Sequence, residues 1–280
     1  MEKQIKDYLY FAEFGENKKR NTIVSLKKDL KQFRKYLKNV EKIESVGEIS
    51  SITIRGYLLA LQEKKVSNRS MNRKLSSLRM FFRYLVNNKI IYQNPAETVP
   101  FPEFEAEKPD ILTLEEINKI RDVISLTKFN GMRDRLMVEL MYSSGITMSE
   151  LLSLGESVFD LDKRELYVGI EKHKRVVFFS VRTRKYFKKY IEMKKKKFKD
   201  RYDEDILFVN GSGKRLTDRS LRRIIEKYRK KAEIEKKMSP YTFRHTFACY
   251  LLKNGMDIYY LQELLGHLEI GSTKYYLELI

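Results

Sequence analysis

The prolines of this chain divide it into two parts. Four of the five prolines lie between Pro95 and Pro109, in the acidic stretch NPAETVPFPEFEAEKPD. Proline removes a helix N–H donor and disfavours helical geometry at the residue before it. We therefore expect an extended linker over residues 97–110, with a helical domain at 1–96 and a second domain at 111–280. A length of 280 residues is typical of two domains.

The charge balance points to a polyanionic partner. Lys and Arg number 57 against 38 Asp and Glu, which gives a formal net charge of +19. Such an excess favours nucleic acid because neutralising phosphates releases counterions. The single cysteine, Cys249, excludes an intrachain disulfide and is expected in the core of a cytoplasmic protein. The chain has no run of about 18 uncharged apolar residues and no signal-peptide layout, so we expect neither a spanning helix nor export.

The first 96 residues are predicted to be wholly helical. Apolar residues recur at helical spacing between residues 21 and 38, and again from Ser70 to Asn87. The basic residues of the second of these helices fall away from its apolar positions, so they are expected on the surface. A solvated basic face and a phosphate-binding face both fit this pattern.

The second half is predicted to be mainly helical with one small antiparallel sheet. Residues 113–116, TLEE, have the pattern of a capping box that opens a helix. Residues 133–142 have the composition of a buried helix. Short β-rich runs at 165–168 and 175–179, separated by charged turns, predict the sheet. A densely basic helix is expected over 182–201, where a solvated face and direct DNA contact stay equally open.

The C-terminal segment carries groups suited to phosphodiester chemistry. It reads SPYTFRHTFACYLLKNGMDIYYLQELLGHLEIGSTKYYLELI and includes Arg244, His267 and the pair Tyr275 and Tyr276. A guanidinium can hold a phosphate through two parallel hydrogen bonds, and an imidazole can donate a further bond or shuttle a proton. A phenol can attack phosphorus and form a covalent ester with the nucleic acid. Because that ester stores the bond energy, we expect no metal and no other cofactor.

Two motifs in this segment resemble the C-terminal signature of tyrosine site-specific recombinases, the phage integrase family that includes the Xer proteins. The motifs are TFRHTFA at residues 242–248 and LLGH at residues 264–267. The family's tyrosine follows the second histidine by nine residues, a spacing that selects Tyr276 and not Tyr275. A plain helical domain with aromatic core residues is the alternative, but it does not explain a polar Gly-His at the end of an apolar helix.

The similarity covers nearly the whole chain and implies a fold. The expected class is mainly α with a small antiparallel β-sheet, in the two-domain tyrosine recombinase architecture. Residues 1–96 would form a helical, SAM-like core-binding domain, residues 97–110 the linker, and residues 111–280 an α+β catalytic domain. In the family, the last helices of the core-binding domain lie against DNA. The DNA-binding residues implied in this way are Arg69, Arg73, Lys74 and Arg79.

The resemblance also implies a reaction, namely site-specific recombination or integration of double-stranded DNA by strand cleavage and rejoining. Arg244 and His267 would hold the scissile phosphate, and Tyr276 would attack it to leave a 3′-phosphotyrosine. Lys172 would protonate the leaving oxygen. The partners implied are a DNA recombination site and either three further copies, as a tetramer on two duplexes, or an active recombinase in a heteromer.

Three catalytic positions depart from the family pattern. Thr147 stands where the family has an arginine, in YSSGITMSEL; Ile170 stands where it has a lysine, and Tyr241 where it has a histidine. Losing one donor to a developing charge typically lowers the rate on the order of 10² to 10³-fold. We therefore expect weakened catalysis.

Two other interpretations stay open. The chain could be a non-catalytic DNA-binding or accessory protein on the recombinase scaffold, which the three substitutions favour. A type IB topoisomerase uses similar chemistry, but the N-terminal half matches recombinases. Only four residues follow Tyr276, so we expect no C-terminal docking helix for a neighbouring subunit.

Overall fold

The structure is a computed structural model that describes every residue except Lys19, 104–107 and 170–173. The chain forms two compact units, Met1–Ala106 and Glu107–Ile280. Each unit has its own apolar core. In the described ranges, every helix is too short or too polar to span a lipid bilayer.

The described part of the first unit is helical, as predicted. Its α-helices are α1 (Glu2–Tyr10), α2 (Arg20–Tyr36), α3 (Ser51–Glu63) and α4 (Asn68–Asn87). Single turns of π-helix at Phe11–Gly15 and Leu37–Glu41 extend α1 and α2. Ser67 begins α4 by accepting a hydrogen bond from the backbone N–H of Ser70, as an N-cap serine does. Leu75 and Phe82 of α4 are fully buried, so its apolar stripe faces the core.

Lys74 does not lie on the surface of α4, which corrects the sequence-based expectation. It is 6% exposed, and its Nζ donates to Asp29 Oδ1 at 3.0 Å and to Gln32 Oε1 at 2.6 Å. Asp29 is itself buried, accepts from Ser77 Oγ at 3.0 Å, and forms a further ion pair with Arg73. A buried carboxylate is costly unless cations and donors surround it. The partner on α2 therefore draws Lys74 inward.

The Arg79 side chain also forms its hydrogen bonds within the first unit. Its guanidinium donates to the carbonyl oxygens of Ala96, Glu97 and Val99, at 3.1, 3.3 and 2.6 Å. It also lies 4.1 Å from the ring centroid of Phe101. Ala96 and Val99 are buried in the core of the first unit, so the start of the proline-rich segment packs there. The linker limits of 97 and 110 stay a prediction.

The second unit combines helices with one small antiparallel sheet, which confirms the predicted fold class. Its described helices are α5 (Leu114–Asp122), α6 (Phe129–Ser144), α7 (Met148–Ser153), α8 (Val181–Phe198), α9 (Asp218–Lys231), α10 (Pro240–Lys253), α11 (Ile258–Leu265) and α12 (Gly271–Lys274). The strands are β1 (Phe159–Asp160), β2 (Glu165–Val168) and β3 (Arg175–Phe178), in the order β1-β2-β3. The register pairs buried Leu166 with buried Val177.

Helix α6 lies at the centre of the second unit. All of its residues from Gly131 to Met141 are buried, and it packs against α8 and α10, as the sequence predicted for a buried helix. Beside α10, a smaller apolar cluster joins that helix to α11 and to the last turn of the chain, Tyr275–Leu279. Cys249 lies in this cluster at 1% exposure, so it is the core thiol expected.

Candidate active site

Arg244 is a buried cation held by two helix ends. It is 5% exposed on α10, and its Nη1 and Nη2 donate to the carbonyl oxygens of Gly145 and Leu265, each at 2.7 Å. Those carbonyls belong to the C-terminal ends of α6 and α11, where the helix dipole favours positive charge. Among the described residues no carboxylate forms a salt bridge with Arg244. The guanidinium is therefore buried, has N–H groups beyond those that bind the two carbonyls, and has no described anionic partner.

Gly145 is required for this arrangement. Its φ of +60° ends α6 in the left-handed conformation, which glycine adopts without strain. A Cβ atom at this position would lie 2.3 Å from Cδ1 of Phe247 on α10. A larger residue would therefore push against Phe247 at the position whose carbonyl binds Arg244, which explains the glycine at the end of α6.

Tyr276 is buried, whereas Tyr275 is partly exposed. The Tyr276 side chain packs in the small cluster at 3% exposure, with its ring parallel to that of His267 at 11° and 6.2 Å between centroids. Its Oη lies 3.2 Å from Nδ1 of His245. Burial raises the pKa of Tyr276, and the charge of Arg244 opposes that rise. The phenol is thus protonated at neutral pH and lies within the field of the buried guanidinium.

His267 follows directly after α11 and is fixed by its neighbours. Gly266 ends the helix with a φ of +69°, and the His267 carbonyl accepts from Nε2 of Gln262 at 3.0 Å. Nδ1 of His267 lies 2.8 Å from Oγ1 of the buried Thr273. Burial, and then the charges of Arg244 and other cations nearby, lower the pKa of His267 to about 4. The ring is therefore neutral at pH 7, and in the tautomer whose Nδ1 accepts from Thr273, Nε2 carries the proton that can be donated to a phosphate oxygen.

Thr147 is the N-cap of α7. Its Oγ1 accepts from the Glu150 backbone N–H at 3.2 Å, and Glu150 Oε2 accepts from the Thr147 N–H at 2.8 Å, which completes a capping box. The Glu150 carboxylate is shared with Arg175.

Arg175 is held by contacts with two elements. Its two Nη atoms donate to the oxygens of Glu150 at 2.5 and 3.0 Å, and its Nε donates to the carbonyl oxygen of Leu264 at 2.7 Å. Arg175 is a second guanidinium near the site, because it binds the carbonyl of Leu264 while Arg244 binds that of the adjacent Leu265. Its charge helps to lower the pKa of His267 and of Arg244.

Sequence reasoning assigned no role to Arg175 or His245. His245 follows Arg244 in TFRHTFA, and Arg175 begins the β-rich run at 175–179. The sequence shows these positions but not their contacts with Tyr276 and Glu150, because those contacts link residues far apart in the chain.

Two family models match the chain. The model described as phage integrase family matches residues 110–279, and the model for the phage integrase N-terminal SAM-like domain matches residues 6–89. The chain belongs to the phage integrase family. Tyrosine recombinase XerD of Oceanobacillus iheyensis is 33% identical over 99% of this chain and 93% of the relative. Tyrosine recombinase XerC of Thermodesulfovibrio yellowstonii is 36% identical over 97% of this chain and 90% of the relative.

A solved relative agrees with the fold. The XerH site-specific recombinase, in a post-cleavage complex with a palindromic difH substrate, superposes with a TM-score of 0.79 at 20% identity. The match covers 100% of this chain and 81% of XerH. Membership of this family makes the chain a tyrosine-type DNA breaking-and-rejoining enzyme that carries out site-specific recombination.

The three departures from the family pattern fall in different surroundings. Thr147 caps a helix, as described above, and its hydroxyl is also 3.2 Å from Ser149 Oγ. Tyr241, in the first turn of α10, is 47% exposed. Ile170 and Lys172 lie outside the described residues, so the role of Lys172 as proton donor stays a prediction.

Proposed function

We propose that Tyr276 cleaves one strand of duplex DNA while Arg244 and His267 hold the scissile phosphate. The observation that carries this proposal is the buried Arg244 guanidinium, which has no described carboxylate partner and lies next to a buried phenol. A phosphodiester supplies the anion that such a cation needs, and a guanidinium matches its geometry. The neutral His267 adds an Nε2–H donor.

In this proposal, Tyr276 Oη attacks phosphorus and the bond to the 5′ oxygen breaks. The product is a 3′-phosphotyrosine with a free 5′-hydroxyl, whose proton comes from Lys172. A 5′-hydroxyl from the partner duplex then attacks the ester, releases Tyr276 and joins the new strands. Because the ester conserves the bond energy, the proposal needs no metal and no cofactor.

The proposed assembly is a tetramer on two duplexes, or a heteromer with an active recombinase, acting in the cytoplasm. The net charge of +19 supports a DNA partner. Phosphate contact by Arg69, Arg73, Lys74 and Arg79 is the prediction made from the sequence. Lys74 is buried against Asp29, so Arg69 and Arg73, the exposed members of that set, are the better placed to meet a phosphate.

Weakened cleavage is part of the proposal, because Thr147 supplies a hydroxyl where the family has a guanidinium. The test is to incubate the chain with nicked suicide DNA and look for a covalent adduct on a denaturing gel. We expect a slowly forming adduct that Tyr276→Phe abolishes and Tyr275→Phe keeps. DNA binding with no adduct, even after long incubation, would instead support the non-catalytic accessory role.

A further inference from the structure

The Tyr276 phenol must lose its proton to become a nucleophile. Burial raises its pKa above the ordinary value, so it is protonated at neutral pH. Attack on phosphorus therefore calls for a group that removes this proton as the bond forms. Tyr241 stands where the family has a histidine. Its side chain is 47% exposed and has no described hydrogen bond to Tyr276.

His245 is in hydrogen-bond contact with the attacking oxygen. Its Nδ1 lies 3.2 Å from Tyr276 Oη, within the reach required of a general base. The two ring centroids are 5.6 Å apart at 53°. His267 also lies beside Tyr276, but it stacks on the ring, and its Nδ1 is committed to Thr273. In the described part of the chain, His245 is thus the imidazole that touches Oη.

The surroundings of His245 keep it able to accept a proton. Burial, and then the charge of Arg244, lower the pKa of His245 below 6.5, so the ring is neutral at pH 7. Among the described residues, the titratable groups coupled to it by charge or by hydrogen bond are Arg244 on its own helix, and His267 and Tyr276 on the segment that follows α11. A neutral ring with its proton on Nε2 presents Nδ1 as an acceptor to the phenol.

Resting on the function proposed above, we propose that His245 is the general base that takes the Tyr276 proton during strand cleavage. As Oη bonds to phosphorus, the proton moves to Nδ1, the bond to the 5′ oxygen breaks, and that oxygen takes a proton from Lys172. On rejoining, the incoming 5′-hydroxyl returns its proton to Lys172. The His245 imidazolium returns its proton to the departing phenolate.

His245→Gln tests the proposal with little change in shape, because the amide can accept the phenol hydrogen bond but cannot take the proton. We expect single-turnover cleavage of suicide DNA to fall on the order of 10² to 10⁴-fold, with DNA affinity unchanged. The wild-type rate should fall as pH drops through the lowered pKa of His245, whereas the variant rate should rise steadily with pH as free phenolate forms. A wild-type rate and pH profile in the variant would overturn the proposal.

His245→Ala opens space for chemical rescue. Added imidazole should restore part of the lost cleavage in this variant and none in Tyr276→Phe, which has no proton to remove. A variant that binds DNA, cleaves poorly and gains nothing from imidazole would count against His245 as the base.

A measurement without DNA separates this inference from the function it rests on. The chain has three histidines, so ¹⁵N-histidine NMR can be assigned with His267→Gln and His245→Gln. We expect His245 to be neutral at pH 7 with its proton on Nε2, and its Nδ1 shift to change in Tyr276→Phe. A proton on Nδ1 would overturn the inference, whereas a wild-type chain that forms no adduct would contradict the proposed function alone.

Discussion

Lys74 in the first unit and Arg244 in the second are buried to nearly the same degree, at 6% and 5% exposure. Lys74 is neutralised by Asp29, and every partner in that network belongs to the unit itself. Arg244 is held by two carbonyl oxygens and has no described carboxylate partner. The difference separates a cation that completes a fold from one that is left able to bind an anion from outside.

The largest expected effect is on Arg244. Arg244→Ala removes the phosphate-holding charge, so we expect adduct formation to fall by roughly 10³-fold or more. Because the side chain has no described carboxylate to leave unpaired, the free energy of unfolding should change less than in a Lys74 variant. Single-turnover cleavage and urea unfolding measure the two effects. Cleavage within tenfold of wild type would show that Arg244 does not hold the phosphate.

Lys74→Met should have the opposite effects, a large loss of stability with little change in cleavage. It leaves Asp29 buried with Arg73 as its remaining cation, so we expect a loss of about 3 kcal/mol in the free energy of unfolding. At a temperature where the variant is folded, the cleavage rate per bound complex should stay close to wild type. The matched control is Asp29→Asn together with Lys74→Met, which should recover part of the stability because no buried carboxylate remains. An unfolding free energy equal to wild type in the single variant would show that the ion cluster contributes little.

Thr147→Arg would add a guanidinium at the position where the family has an arginine, alongside those of Arg244 and Arg175. We expect cleavage to rise by roughly 10²-fold, the scale of one restored donor to the phosphate. The variant loses the N-cap hydroxyl of α7, which should lower stability by about 1 kcal/mol. Thr147→Lys is a useful comparison, because it adds charge without the planar fork. If neither variant cleaves faster than wild type while DNA binding is intact, the missing arginine at position 147 is not what limits cleavage.

The smallest effect is on the pH dependence of stability. The pKa of His267 is about 4 in the folded chain, below its ordinary 6.5. As pH falls from 6.5 towards 4, the unfolded state takes up a proton that the folded state does not, so stability decreases. Between pH 7 and pH 5, the free energy of unfolding should fall by about 1 kcal/mol less in His267→Gln than in wild type. The difference is no larger because partial exposure of His267 screens the effect. If urea unfolding shows that wild type and His267→Gln lose the same stability between pH 7 and pH 5, His267 is not held neutral in the folded chain.

Local patterns predicted much of the fold. Apolar spacing placed α4, the capping pattern at residues 113–116 placed the start of α5, and the β-rich runs placed β2 and β3. These elements depend on neighbours in sequence, so periodicity and caps are sufficient to find them.

Long-range partners limited what could be predicted about side chains. Asp29 is 45 residues from Lys74, and no local pattern indicates that it would draw the lysine into the core. The same holds for His245 and Tyr276, which are 31 residues apart, and for Glu150 and Arg175. Motif spacing selects Tyr276 over Tyr275, and the structure buries Tyr276 beside His245 and His267, but its role as nucleophile stays a prediction until an adduct is mapped.

The most direct test of the central claim is to map the adduct formed on nicked suicide DNA by mass spectrometry of the digested complex. The account predicts a 3′-phosphotyrosine on Tyr276 and none on Tyr275, lost in Tyr276→Phe and much reduced in Arg244→Ala. An adduct on Tyr275, or one that persists in Tyr276→Phe, would contradict it.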